Sequence, residues 1–178
     1  MERVMIIGCG GAGKSTLARQ LGEVTGLPVV HLDKLFWKSG WVESSKAEID
    51  EKIRQAAACP RWIMDGNYNR TLEQRLERAD TVIYLDFPRM VCLWGVFKRL
   101  LTNLGKVRPD MPEGCPEKVD LEFLRWIWNF NKACMNTMAT ITMSAPTACW
   151  QPGAFMCLRK RPMVWCLLVN TSLVLMAR

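Results

Sequence analysis

Gly8-Cys9-Gly10-Gly11-Ala12-Gly13-Lys14-Ser15-Thr16 is the stretch whose reading decides the fold. It satisfies G-x-x-x-x-G-K-[ST] once, between an apolar β-type run, Val4-Met5-Ile6-Ile7, and a helical pattern with Leu17, Ala18 and Leu21 on one face. A loop whose backbone N–H groups all point inward needs φ/ψ values that side chains forbid, so glycine recurs. The helix N-terminus that follows adds partial positive charge where a phosphate would lie. In such a loop Lys14 reaches the β and γ phosphates of ATP and the Ser15 hydroxyl ligates Mg²⁺. Gly8, Gly10, Gly11, Ala12, Gly13, Lys14, Ser15 and Thr16 therefore form the candidate nucleotide site. The competing reading, a glycine-rich turn that happens to precede Lys-Ser, lacks a reason for the strand before it and the helix after it.

Outward from this loop, apolar strands alternate with amphipathic helices, as in a doubly wound parallel sheet. Strands are expected at 4–7, 29–32, 62–64 and 82–85. The second runs into Asp33, the third into Asp65-Gly66 and the fourth into Asp86-Phe87-Pro88-Arg89. Ligands of open α/β sheets bind beyond the carboxyl ends of parallel strands, so three carboxylates converge on the glycine loop. By strand alternation His31 points to the opposite side and reads as a core histidine. The expected fold is α/β, a P-loop NTPase with a doubly wound parallel sheet flanked by helices and a small lid segment, in a single domain over 1–178.

The 178 residues, 49% hydrophobic and 23% charged, suffice for one such core and exclude collagen, coiled coil and wholesale disorder. The net charge of +7 is unevenly spread: all 17 acidic residues lie in 1–122 beside 18 basic ones, and 123–178 holds 6 basic residues and no acid. An excess made by missing carboxylates, with no Lys/Arg cluster and no helix-turn-helix pattern, is a weak footprint for nucleic acid. The eight cysteines show no CxxC spacing, and the only histidine is His31, so free thiols in a reducing cytoplasm fit better than a zinc site or disulfide framework. The apolar run after Glu2 and Arg3 is too short for a signal-peptide core, and folding is expected to start at residue 3.

The chain resembles the adenylate-kinase-like P-loop nucleotide kinases, and among them the bacterial topology modulation proteins related to adenylate kinase. Besides the glycine loop, the resemblance rests on Pro28-Val29-Val30-His31-Leu32-Asp33, Trp62-Ile63-Met64-Asp65-Gly66-Asn67-Tyr68, Arg75-Leu76-Glu77-Arg78-Ala79-Asp80, Leu85-Asp86-Phe87-Pro88-Arg89 and Arg108-Pro109-Asp110-Met111-Pro112-Glu113-Gly114-Cys115-Pro116-Glu117. It covers about residues 1–131. Adenylate kinases carry Asp-Gly-Phe-Pro-Arg-Thr after the third strand, where this chain has Asp65-Gly66-Asn67-Tyr68-Asn69-Arg70-Thr71, so AMP is not fixed as the acceptor.

The resemblance implies roles for particular residues. Asp65 would hold the hydration shell of Mg²⁺, or else is a turn Asp before Gly66. Asp33 lies where related small-molecule kinases place the carboxylate that orients or deprotonates an acceptor hydroxyl; as a helix N-cap for a segment starting at Lys34 it would have no such role. Arg99 and Arg108 would contact phosphate from a Gly- and Pro-rich lid at about 99–118, and Arg70 would serve the acceptor side. Each of these arginines has a plain alternative as a solvated surface group. Cys115 stands alone in the lid, so no metal beyond Mg²⁺ is implied.

Trp37 and Tyr68 are candidate acceptor contacts, and Phe36, Trp37 and Trp41 could stack a base or sugar as readily as they could pack a helix pair. Phe123, Trp126, Trp128 and Phe130 read as a core face on the helix after the lid. Residues 133–178 form an atypical tail rich in Cys, Met and Thr, the pattern of a frameshifted or degraded C-terminus. Within it, 163–169 could supply a fifth strand; the apolar run after Arg159-Lys160-Arg161 is too short and interrupted to span a membrane. The expected activity is transfer of the ATP γ-phosphoryl, with Mg²⁺, to a small-molecule or nucleotide acceptor. The alternative is a nucleotide-binding regulatory protein without significant turnover.

Overall fold

The computed structural model describes residues 1–130 and two short strands beyond them, Ala148–Cys149 and Phe155–Arg159. At its centre lies β1 (Arg3–Gly8), whose side chains Val4, Met5 and Ile6 are fully buried. A strand covered on both faces has no polar side to show, and its sequence is accordingly a continuous apolar run. β2 (Val29–His31), β5 (Trp62–Asp65) and β6 (Thr81–Leu85) join it, all parallel, in the order β2-β5-β1-β6. The four expected strands are therefore present, displaced by no more than a residue at any end.

Alternation along β1 sorts the helices into two layers. Val4 and Ile6 face α1 (Lys14–Thr25), the start of α5 (Arg89–Asn103) and α6 (121–130). Met5 and Trp62, on the other face, pack with Ala57 of α3 (Lys46–Ala58) and Leu72 of α4 (Leu72–Arg78). Between β2 and α3 the chain forms the one-turn-long α2 (Leu32–Phe36) and a small hairpin of β3 (Trp37–Lys38) and β4 (Val42–Glu43). α3 starts on a side-chain N-cap: the Ser45 hydroxyl accepts from the Glu48 N–H at 3.2 Å.

Beyond β6 the sheet departs from an all-parallel pattern. β8 (Phe155–Arg159) pairs with it antiparallel, Leu85 opposite Phe155 and Thr81 opposite Arg159, and β7 (Ala148–Cys149) pairs antiparallel with β8. The parallel core is thus extended by a reversed pair. The candidate strand at 163–169 lies outside the described residues. No helix among the described residues is long and apolar enough to cross a membrane.

Candidate functional site

The phosphate loop owes its shape to a close contact. Gly11, at φ 81°, faces α5 so tightly that a Cβ there would stand 2.1 Å from the Cys92 carbonyl oxygen, and one on Gly95 would stand 2.3 Å from the Gly11 carbonyl oxygen. Two glycines facing each other let helix backbone lie directly on loop backbone. Gly13 leads into α1 without a side-chain cap, and Lys14 Nζ donates back to the Cys9 carbonyl at 2.9 Å.

A cleft of about 1120 Å³ opens at the carboxyl ends of the parallel strands. Most of the residues singled out in the sequence line it: Gly10, Gly11, Gly13, Lys14, Ser15 and Thr16 on the loop, with Asp33, Trp37, Asp65, Tyr68, Arg99 and Arg108 around them. Ala12 is buried behind the loop, and Gly8 and Arg70 line a smaller neighbouring cavity.

Asp33 sits within α2, whose N-cap is His31, so the helix-cap alternative for Asp33 does not hold. Its Oδ1 accepts a hydrogen bond from the Tyr68 hydroxyl at 3.2 Å. Burial raises the Asp33 carboxyl above its usual range, and Lys14 opposes that rise. The Tyr68 phenol is pushed up by burial and by Asp33, so it remains an O–H donor.

His31 corrects the sequence reading. It is partly buried, and its Nδ1 lies 2.9 Å from Asp65 Oδ2, which puts it against a carboxylate of the cleft. The register explains why: β2 and β5 pair in parallel with His31 opposite Asp65. The other oxygen, Asp65 Oδ1, is buried with no hydrogen-bond partner among the described residues. An unpartnered carboxylate oxygen and the Ser15 hydroxyl in one cleft are hard donors that fit Mg²⁺ and its water shell.

Two further residues escaped the sequence. The Asn67 side chain holds both sides of the Gly8 peptide, accepting from its N–H at 3.0 Å and donating to its C=O at 2.9 Å. Arg75, fully buried, donates to the carbonyls of Gly66, Asn67 and Tyr68 and to the Thr71 hydroxyl. Burial pulls its guanidinium down, and these carbonyls take the place of a carboxylate partner. The turn after β5 is therefore fixed from behind by Arg75 and tied forward to the phosphate loop by Asn67.

The arginines are placed less freely than expected. Arg99 Nη2 lies 2.8 Å from Glu117 Oε1, and Arg108 lies 2.7 Å from Glu117 Oε2 and 2.6 Å from Asp110. Glu117 is only 5% exposed, so one buried carboxylate gathers both arginines at the cleft. Arg70 is exposed and paired with Asp50 at 2.6 Å. The first five residues of the expected lid are the last turn of α5, and the loop beyond docks on the β3-β4 hairpin: Gly40 N–H donates to the Gly114 carbonyl at 2.9 Å, and Trp41 Nε1 to Pro116 at 3.2 Å.

The aromatic face on α6 is only partly core. Phe130 is buried, but Trp128 is half exposed, and Phe123 stacks on Trp126 where both line the cleft beside Gly10. Phe36 packs edge-on against Trp37 and tilts over Tyr68, which gives the cleft a wall of rings beside Asp33.

No protein-family model matches the chain. A curated relative, the adenylate kinase of Thermosipho melanesiensis, is 26% identical over 106 residues, covering 58% of this chain and 48% of that protein. The chain thus spans about half the length of the curated relative it matches. Among solved structures, shikimate kinase from Acinetobacter baumannii in complex with shikimate aligns at 14% identity and a TM-score of 0.43, covering 77% of this chain and 94% of that one. A sugar kinase from Janibacter sp. HTCC2649 aligns at 15% and 0.42, covering 79% and 98%. The resemblance to adenylate-kinase-like P-loop kinases, carried by motifs in the sequence, extends to the curated relative.

Proposed function

We propose that the chain is an ATP-dependent phosphotransferase acting on a small acceptor hydroxyl. The observation that carries this reading is the placement of Asp33 in one cleft with the Lys14 loop, its carboxylate held by the Tyr68 hydroxyl at 3.2 Å. The phosphate chain of ATP lies in the loop of Gly8 to Thr16, with Lys14 on the β and γ phosphates. Ser15 and Asp65, the latter through water, would hold Mg²⁺, which would supply neutralisation of the phosphate charge. Asp33 takes the proton of the acceptor hydroxyl as its oxygen bonds the γ-phosphorus and the bond to the β–γ bridging oxygen breaks, releasing ADP. Arg99 and Arg108 face the charge that develops on the transferred group, and Trp37, Tyr68 and Arg70 line the acceptor's approach.

Acceptor-stimulated ADP release, measured over a panel of hydroxyl compounds with wild type and Lys14→Met, tests the reading. Stimulation by an acceptor that vanishes in the variant supports it. Slow ADP release that no acceptor changes favours the nucleotide-binding regulatory alternative.

A further inference from the structure

Resting on the phosphotransferase reading, we infer that Arg75 is a positioning residue for that reaction: its buried guanidinium shapes one turn, Gly66-Asn67-Tyr68, that holds the phosphate loop and Asp33 in register with each other. Arg75 belongs to α4 and is fully buried. Its Nη1 donates to the Gly66 carbonyl at 3.0 Å, its Nη2 to the carbonyl of Asn67 and, at 2.9 Å, to that of Tyr68, and its Nε to the Thr71 hydroxyl at 3.2 Å. Consecutive carbonyls of an extended chain point to opposite sides, so three that converge on one guanidinium need a tightly curled backbone. Gly66 at φ 140° and Tyr68 at φ 30° supply the curl. A bulky residue in left-handed space persists only where its surroundings over-determine it. Here the Tyr68 carbonyl also accepts from the Thr71 hydroxyl at 3.3 Å and the Thr71 N–H at 3.2 Å.

With the carbonyls turned toward Arg75, the side chains of the turn reach two different parts of the cleft. Asn67 holds Gly8 by its N–H at 3.0 Å and its C=O at 2.9 Å, and the Tyr68 hydroxyl donates to Asp33 Oδ1 at 3.2 Å. Gly66 makes a third contact beside Asp33, where a Cβ would stand 2.9 Å from the Leu32 Cβ. A change in the turn therefore moves the clamp on the loop and the donor to Asp33 at once. The planar guanidinium suits this task because its five N–H donors have fixed directions, whereas an ammonium is a point charge on a flexible stem. Arg75→Lys keeps the charge and loses the fork.

The test uses the full chain and two readouts. Mg²⁺ with the non-hydrolysable ATP analogue AMP-PNP is titrated by tryptophan fluorescence, since Trp37 and Trp126 line the cleft. The Asp33 carboxyl is titrated with pH by ¹³C NMR of aspartate-labelled protein, its signal assigned by its loss in Asp33→Asn. Lys14, Asp65 and Arg108, whose charges also act on Asp33, are unchanged in the Arg75 and Tyr68 variants. Tyr68→Phe removes a hydrogen bond to the carboxylate and raises the Asp33 midpoint. Arg75→Lys is expected to raise it as far, and to weaken AMP-PNP binding about five-fold, the worth of one net hydrogen bond. The double variant then titrates as Tyr68→Phe alone, because Arg75 reaches Asp33 through that hydroxyl. A role confined to stability lowers the melting temperature and moves neither readout. Additive shifts in the double variant, or either readout unmoved in Arg75→Lys, overturn the inference and leave the phosphotransferase reading intact. If Arg75→Lys does not fold, Thr71→Val, which removes the hydroxyl between Arg75 Nε and the Tyr68 carbonyl, takes its place: both readouts move in the same directions, and either one unmoved overturns the inference. No saturable AMP-PNP signal in wild type refutes the phosphotransferase reading itself, and this inference with it.

Discussion

Asn67→Leu removes a side chain that clamps the start of the phosphate loop, and its cost can be worked from the two bonds it makes. Both are of ordinary length, 3.0 Å from the Gly8 N–H and 2.9 Å to the Gly8 C=O. Two net hydrogen bonds at about 1 kcal/mol each give a lower figure of about 2 kcal/mol. If the partly buried Gly8 groups find no water, each stranded group raises the figure, to roughly 4 kcal/mol in all. At about 2–4 °C per kcal/mol for a chain of this size, the centre of that range is a fall of about 9 °C in melting temperature. Asn67→Asp separates stability from binding: the carboxylate still accepts from the Gly8 N–H but has no proton for the C=O, and it brings a negative charge to the loop. It should melt within a few degrees of wild type yet bind Mg²⁺ with AMP-PNP more than ten-fold more weakly. Thermal unfolding followed by circular dichroism, then fluorescence titration, measures both. An Asn67→Leu protein that melts within 2 °C of wild type and binds the analogue with wild-type affinity refutes the idea that this amide holds the loop.

Other substitutions probe the remaining parts of the cleft. Lys14→Met should abolish the stabilisation that nucleotide confers on wild type, about 2.7 kcal/mol at a hundred times its dissociation constant, visible as a shift of several degrees in wild type only. Asp33→Asn should lower acceptor-stimulated turnover by about 10²–10⁴-fold and yet melt higher than wild type at pH 7. The sign follows from Asp33 being raised by burial: the folded state holds its proton more tightly than the unfolded state, so its contribution to stability is full below the usual carboxylate range and is lost as pH rises through the folded value. The same direction predicts that turnover increases as Asp33 ionises, on a limb displaced above the usual carboxylate range and absent in the variant. Glu117→Gln should cost about 3 kcal/mol, measured by urea unfolding, because Arg99 and Arg108 then face each other without their shared carboxylate.

The parallel strands were legible because burial on both faces leaves a mark that one chain carries alone, an unbroken apolar run such as Val4 to Ile7. The phosphate loop was legible for a similar reason, since its glycines answer to backbone shape within nine consecutive residues. What escaped depends on relations between distant segments. His31 meets Asp65 through the register of two strands, and alternation within β2 contains nothing of that partner. Asn67 looks like any polar residue of a turn; its position directly after Asp65-Gly66, at the carboxyl end of a strand beside β1, was the available signal. Arg75 sits in a helix rich in charge, where nothing local distinguishes a fully buried guanidinium from a solvated one. The pairing of Arg99 and Arg108 on Glu117 belongs to the folding back of the segment after α5, and composition does not encode it. Nor does it encode the direction of β8, because the outer edge of β6 offers N–H and C=O groups that a strand of either polarity satisfies.

That indifference of the β6 edge has an evolutionary consequence. Every described residue lining the cleft lies at or before Trp126, while the sheet is completed by a reversed strand from far later in the chain. A strand joined in this way answers to a loose requirement, backbone pairing along one edge. The Phe155–Arg159 strand can therefore drift more freely than the glycine loop, Asp33 and Asp65, so two parts of one chain age at different rates.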